Sequence, residues 1–162
     1  MLKDQLLRGY DRYYDTFESY ETLGLDFEFY AKYYQRNSKY MAVKKMEYYA
    51  FSNFEEVYYK HYENFDMRAL SEINAFINRY LNQFSPADED HMETLLTVIA
   101  STGSSVPNDV KKAVEKLNPS KSIFWGLKGW IKVKLILIDP QNNIITNRFG
   151  QNDQMKLAKL LS

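Results

Sequence analysis

Four groups of side chains in this 162-residue sequence have types and spacings that chemistry can use. The first is Asp26, Glu28 and Lys32, which alternate along a predicted strand. Two carboxylates and an ammonium on one strand face would hold Mg²⁺ and set a cation beside an attacking water, as in a metal-dependent nuclease. Lys44 or Lys60 could join them. That chemistry also needs Glu-x-Lys on a neighbouring strand. The sole acidic-x-Lys triplet is Asp109-Val110-Lys111, and its surroundings have helical spacing. The expected triplet is missing from every predicted strand.

The second group is His91 and Glu93, two residues apart and beside Asp88 and Asp90. They supply half of a metal site at most, because zinc needs three or four ligands. The polar entry to a strand gives the same pattern. The third is Gly103-Ser104-Ser105 before a helix, where small residues and free amides can receive an anion. It lacks the Gly-Lys-Ser/Thr ending of a phosphate-binding loop, and an ordinary N-cap at Ser104 or Ser105 is the better account of it. The fourth is Lys128, Trp130, Lys132 and Lys134, which project from one strand face opposite Ile131, Val133, Leu135 and Leu137. Ammonium groups around an indole can contact phosphates and stack a base. A solvated outer face would look the same.

Other chemistry is argued against by what the sequence lacks. There is no cysteine, which removes thiolate catalysis and disulfides. No Ser nucleophile elbow is present, and no cofactor motif is found. The first residues, MLKDQLLRGYDRYYD, are too charged for a signal peptide. Leu135 to Ile138 is the longest apolar run, far short of the ~20 residues of a membrane span. A cytoplasmic protein without membrane contact is expected. The 21 basic and 21 acidic residues cancel, so no overall charge steers the chain toward nucleic acid. Their distribution is uneven: residues 63–102 carry 2 basic and 7 acidic groups, and 103–162 carry 10 and 4. All of the 14 tyrosines except Tyr80 lie between Tyr10 and Tyr62, suiting half-buried strands or a binding surface.

These residues must be positioned by regular elements within one domain spanning 1–162. Leu2, Leu6, Tyr10, Tyr13, Phe17 and Tyr20 mark an N-terminal helix that stops near Thr22–Gly24. Alternation from Asp26 to Arg36, then Tyr40 to Phe51 and Phe54 to Tyr62, predicts a three-strand meander. Asp66 caps a helix through Leu70, Ile73, Ile77, Leu81 and Phe84. The run Leu95–Ala100 is a strand, and a helix starts near Pro107. Ile123–Ile138 supplies one or two strands and Ile144–Phe149 a last one, before Asn152 caps a closing helix. The resulting order, α-βββ-α-β-α-ββ-α, is an α+β fold with a mostly antiparallel or mixed sheet packed against helices. Helix, three strands, helix, strand is also the order at the core of the restriction-endonuclease-like fold, an analogy of fold alone.

Several short stretches resemble an uncharacterised family of small cytosolic proteins from low-GC Gram-positive bacteria. They are Tyr10-Asp11-Arg12-Tyr13-Tyr14-Asp15, Asn37-Ser38-Lys39-Tyr40, His91-Met92, Lys121 with Gly126-Leu127-Lys128-Gly129-Trp130, and Thr146-Asn147-Arg148-Phe149-Gly150. The resemblance implies a compact stand-alone protein and no catalytic residues. The expected function is a non-enzymatic binding or interaction module that uses the tyrosine-rich meander or the Lys128–Lys134 face. Protein and nucleic acid are the candidate partners. The alternatives are a metal-dependent nuclease and a homo-oligomer associating through its tyrosines.

Overall fold

A computed structural model of the chain describes residues 1–34, 54–83, 93–122 and 130–162. The helices are α1 (Leu2–Asp11), α2 (Met67–Gln83), α3 (Asn108–Lys116) and α4 (Gln154–Leu161). The strands are β1 (Asp15–Thr22), β2 (Leu25–Tyr34), β3 (Phe54–Tyr62), β4 (Glu93–Thr102), β5 (Ser120–Ser122), β6 (Trp130–Ile138) and β7 (Ile144–Thr146). They form one seven-stranded mixed sheet in the order β1-β2-β3-β4-β6-β5, with β7 also on β6. β1, β2 and β3 are antiparallel, whereas β3, β4 and β6 run parallel. The α+β class and the expected element order hold, with the C-terminal strand pair extended by the three-residue β5.

The parallel strands need crossovers, and α2 and α3 provide them on the same face of the sheet. Two connections of one hand that advance in one direction must do so. Their apolar stripes (Leu70, Ile73, Ile77 and Leu81; Val110 and Val114) meet Leu96, Val98, Val133, Leu135 and Leu137 in one core. α1 and α4 cover the other face, where Leu6, Leu157 and Leu161 pack on Phe29, Val57, Tyr59, Ile99 and Ile136. β4 and β6 are therefore enclosed on both sides. Asp66 caps α2 as its sequence suggests, its Oδ1 accepting from the Ala69 amide at 2.9 Å.

Local differences from the sequence expectations have identifiable causes. The first helix ends at Asp11, not near Thr22–Gly24, because Asp15–Thr22 pairs with β2 instead. Leu23 and Gly24, both at positive φ (50° and 78°), make the two-residue hairpin between them. The glycine expected to stop a helix turns a hairpin. The strand expected at Tyr40–Phe51 lies outside the described residues. α3 begins after Pro107 without a side-chain cap, so neither Ser104 nor Ser105 caps it. The last strand stops at Thr146, and Asn147, not Asn152, caps the 3₁₀ helix Arg148–Asp153 that leads into α4.

Asn147 is fully buried because it completes an incomplete strand edge. β5 pairs the first part of β6 and β7 its end, leaving the middle of that edge open. The Asn147 side chain bridges the gap. Its Oδ1 accepts from the Leu135 amide at 3.0 Å, and its Nδ2 donates to the Val133 carbonyl at 2.8 Å. The same Oδ1 accepts from the Gly150 amide at 3.1 Å. Asn147→Ala leaves the Leu135 amide and the Val133 carbonyl unsatisfied, while the Gly150 amide keeps its bond to the residue 147 carbonyl. It should cost about 2–6 kcal/mol, at roughly 1–3 kcal/mol for each of the two groups. Urea denaturation measures this; a loss below about 1 kcal/mol would show that water replaces the amide.

The pleat of β2 is interrupted where Ser19 (φ 54°) falls between the pairs Glu18↔Phe29 and Tyr20↔Phe27. Phe27 packs on Tyr58 and Phe76 beneath α2, while Phe29 stacks on Tyr59 in the opposite core. The tyrosines are chiefly core material. Tyr20, Tyr30 and Tyr58 stack across neighbouring strands, and Tyr30 donates to Glu56. Burial first, then the negative charge of Glu56, pushes the Tyr30, Tyr58 and Tyr80 phenols well above their ordinary range. Their folded pKa is raised, so their neutral form adds stability that is intact below the unfolded value near 10. That stability is lost as pH rises beyond it. Absorbance at 295 nm should show these phenols ionising together with unfolding above about pH 10; gradual ionisation in the folded protein would contradict this.

Candidate functional site

The helices α1 and α4 are short. Ten and eight residues reach only about 12–15 Å, whereas the strands beneath them extend about 30 Å. The two helices touch where Gly9 faces Leu160, so closely that a Cβ on Gly9 would lie 2.8 Å from a Leu160 methyl. Beyond that contact a cavity of about 410 Å³ remains between them, lined by Gln5, Arg8, Tyr10, Arg12, Tyr13 and Tyr14 of the α1 segment. Asp153, Lys156, Leu157 and Leu160 form the opposite wall, and Glu55 of β3 forms the floor.

Glu55 is only 3% exposed, and a carboxyl group that deep needs bonded partners. It has them on both oxygens: the Tyr14 hydroxyl donates to Oε2, and the Thr97 hydroxyl donates to Oε1 at 2.9 Å. The parallel register places Thr97 between Val57 and Lys134. Lys134 then meets Asp153 at 2.8 Å, with both side chains mostly enclosed. Lys156 lies close enough to Asp153, Lys134 and Glu55 for their charges to act on it. Its amine is lowered, by burial first and by Lys134 in addition. Arg8 and Arg12 stand exposed on the rim.

The residues singled out from the sequence are distributed differently. Lys134 becomes an enclosed ion-pair partner, and the Lys132 ammonium lies 5.8 Å from the centre of the Phe149 ring. α4 and its preceding turn cover this side, so Lys132 and Lys134 do not form an open basic strip. Trp130 opens β6, and Lys128 lies outside the described residues. Asp26 and Glu28 do share a shallow hollow of about 360 Å³, joined by Lys60. Lys32 is elsewhere, over the Phe17 ring at 5.5 Å. Lys60 donates to the Asp26 carbonyl and Glu28 accepts from the His61 amide, so both bonds join β2 to β3 inside the sheet.

Gly103 sits beside the Glu63 carboxyl group, an unfavourable neighbour for an anion, and the Ser104 amide is bonded to the Thr102 hydroxyl. His91 lies outside the described residues, and Glu93 begins β4. Among the described residues no three His, Asp or Glu side chains are grouped to hold a metal ion. No helix among them is long and apolar enough to cross a membrane.

With this geometry in place, comparison with known proteins adds one fact. A family model described as a domain of unknown function, DUF8052, matches residues 1–159. The chain belongs to that family. No curated protein and no solved structure matches it. In this DUF8052 chain the pocket residues Arg8, Arg12, Tyr14, Glu55, Asp153 and Lys156 are not conspicuous in the sequence. One signal was available: Glu55 stands in a run that is otherwise strongly strand-forming, which asks for a buried partner.

Tyr14→Phe removes one of the two donors to the buried Glu55. It should destabilise the fold by about 2 kcal/mol, the scale of a hydrogen bond to a charged group, in urea denaturation. A change below about 0.5 kcal/mol would mean that Glu55 does not depend on Tyr14.

Proposed function

We propose that this protein is a non-enzymatic binding module and that its ligand site is the pocket between α1 and α4. The cavity itself carries the conclusion. About 410 Å³ is within the range of small-molecule sites, which combine apolar walls with a few fixed polar groups. Here Tyr10, Leu157 and Leu160 give the walls. The polar floor is rigid before any ligand arrives, because Tyr14 and Thr97 hold Glu55 and Lys134 holds Asp153. Such prior ordering lowers the entropic cost of binding.

The non-enzymatic character is supported by the same bonds, which engage both acidic side chains rather than leaving them poised for proton transfer. Lys134 of the Lys/Trp strand contributes from beneath, through its ion pair with Asp153. The resemblance in sequence supports a cytoplasmic setting in a low-GC Gram-positive bacterium.

A fragment screen by NMR on isotope-labelled protein tests the site. Binders should shift the amides of Arg8, Gly9, Lys156 and Leu157 together. Gln5→Trp, which fills the cavity from its rim, should remove those shifts while leaving the melting temperature within a few degrees. Shifts scattered over other surfaces, or unchanged in Gln5→Trp, would sink the assignment.

A further inference from the structure

Resting on the pocket just assigned, we propose that its ligand carries a phosphate monoester on an apolar or aromatic body, with the phosphate seated by Arg8 and Arg12. The two arginines are four residues apart, Arg8 in the last turn of α1 and Arg12 at its helically wound C-cap, and both line the cavity. Like charges at this spacing repel one another and weaken a helix by a few tenths of a kcal/mol. Among the described residues neither arginine is in an ion pair. An anion between them removes that repulsion.

The acids of the pocket do not compete for the arginines. Glu55 has both oxygens bonded to Tyr14 and Thr97 hydroxyls, and Asp153 is paired with Lys134 at 2.8 Å. Lys156 adds a third positive group to the same space, its amine lowered by burial first and by Lys134, with Asp153 and Glu55 opposing. A single carboxylate matches one guanidinium fork. A doubly charged phosphate monoester has three terminal oxygens and matches two forks and an ammonium. The apolar part of the ligand would lie on Tyr13, whose ring is 40% exposed, and on the Leu157–Leu160 wall.

Calorimetric titration of the full chain at low salt and pH 8 with phenyl phosphate, benzoate, benzyl alcohol and inorganic phosphate is the test. Phenyl phosphate should bind at least about tenfold more tightly than the other three. Its affinity should fall as pH drops through about 6, where a monoester takes up its second proton. Arg8→Gln and Arg12→Gln, both at exposed positions, should each weaken phenyl phosphate about tenfold or more, as loss of a charge-assisted hydrogen bond implies. Neither should change benzyl alcohol binding or the melting temperature.

Benzoate or benzyl alcohol binding as tightly as phenyl phosphate, with pocket amides shifted, overturns the phosphate assignment and leaves the pocket standing. Undiminished phenyl phosphate affinity in Arg8→Gln and Arg12→Gln also overturns it. If none of the probes binds the wild-type protein or shifts the pocket amides, the phosphate assignment and the pocket fall together.

Discussion

β4 and β6 are enclosed on both faces, and the polar architecture of the protein follows from that enclosure. A polar side chain or open backbone group in this layer costs several kcal/mol unless it is bonded. Thr97, Lys134 and Ser101 are accordingly tied to neighbours. Thr97 bonds Glu55 across the strands, and Lys134 bonds Asp153. Ser101, almost completely buried, lies 2.7 Å from the Tyr59 hydroxyl and 2.8 Å from His61 Nδ1. Asn147 completes the β6 edge where neither β5 nor β7 reaches. These bonds make the sheet a rigid floor.

The two faces of that floor differ in what covers them. The 17-residue α2, with α3, seals one side with aliphatic residues and stacked tyrosines. On the other side the covering helices are too short, and Gly9 draws them together at one point. The remaining gap falls over the polar floor around Glu55 and is ringed by Arg8, Arg12 and Lys156. A recess with apolar walls, fixed acids and cations at its mouth therefore arises from helix length and register. None of these elements has to move to create it.

Much of the fold is legible in residue patterns. The stripe Leu70, Ile73, Ile77 and Leu81 with Asp66 before it specifies α2 and its cap, and both are found. Alternation at Ile131–Leu137 assigns the two faces of β6 correctly. Phe17 and Tyr20 mislead, because their spacing imitates a helix while the chain is held in β1 by pairing with β2. The candidate site is much less legible. Lys134 is visible as a cation on a strand, but its enclosure depends on Asp153, 19 positions later. Arg8 and Arg12 look like ordinary surface charges until α4 is placed opposite them.

The sequence by itself determined the α+β class, the order of elements and the absence of thiol chemistry, because these depend on composition and on contacts within a few residues. It also concentrated the tyrosines in the first strands. Only the tertiary structure decided which acidic and basic groups meet. Glu55 is joined to Tyr14 and Thr97, 41 and 42 positions away, and the phase of the pleat at Ser19 separates Phe27 from Phe29. Such pairings depend on strand register and on where short helices end. These are set by packing over long sequence distances, for which local periodicity carries no signal.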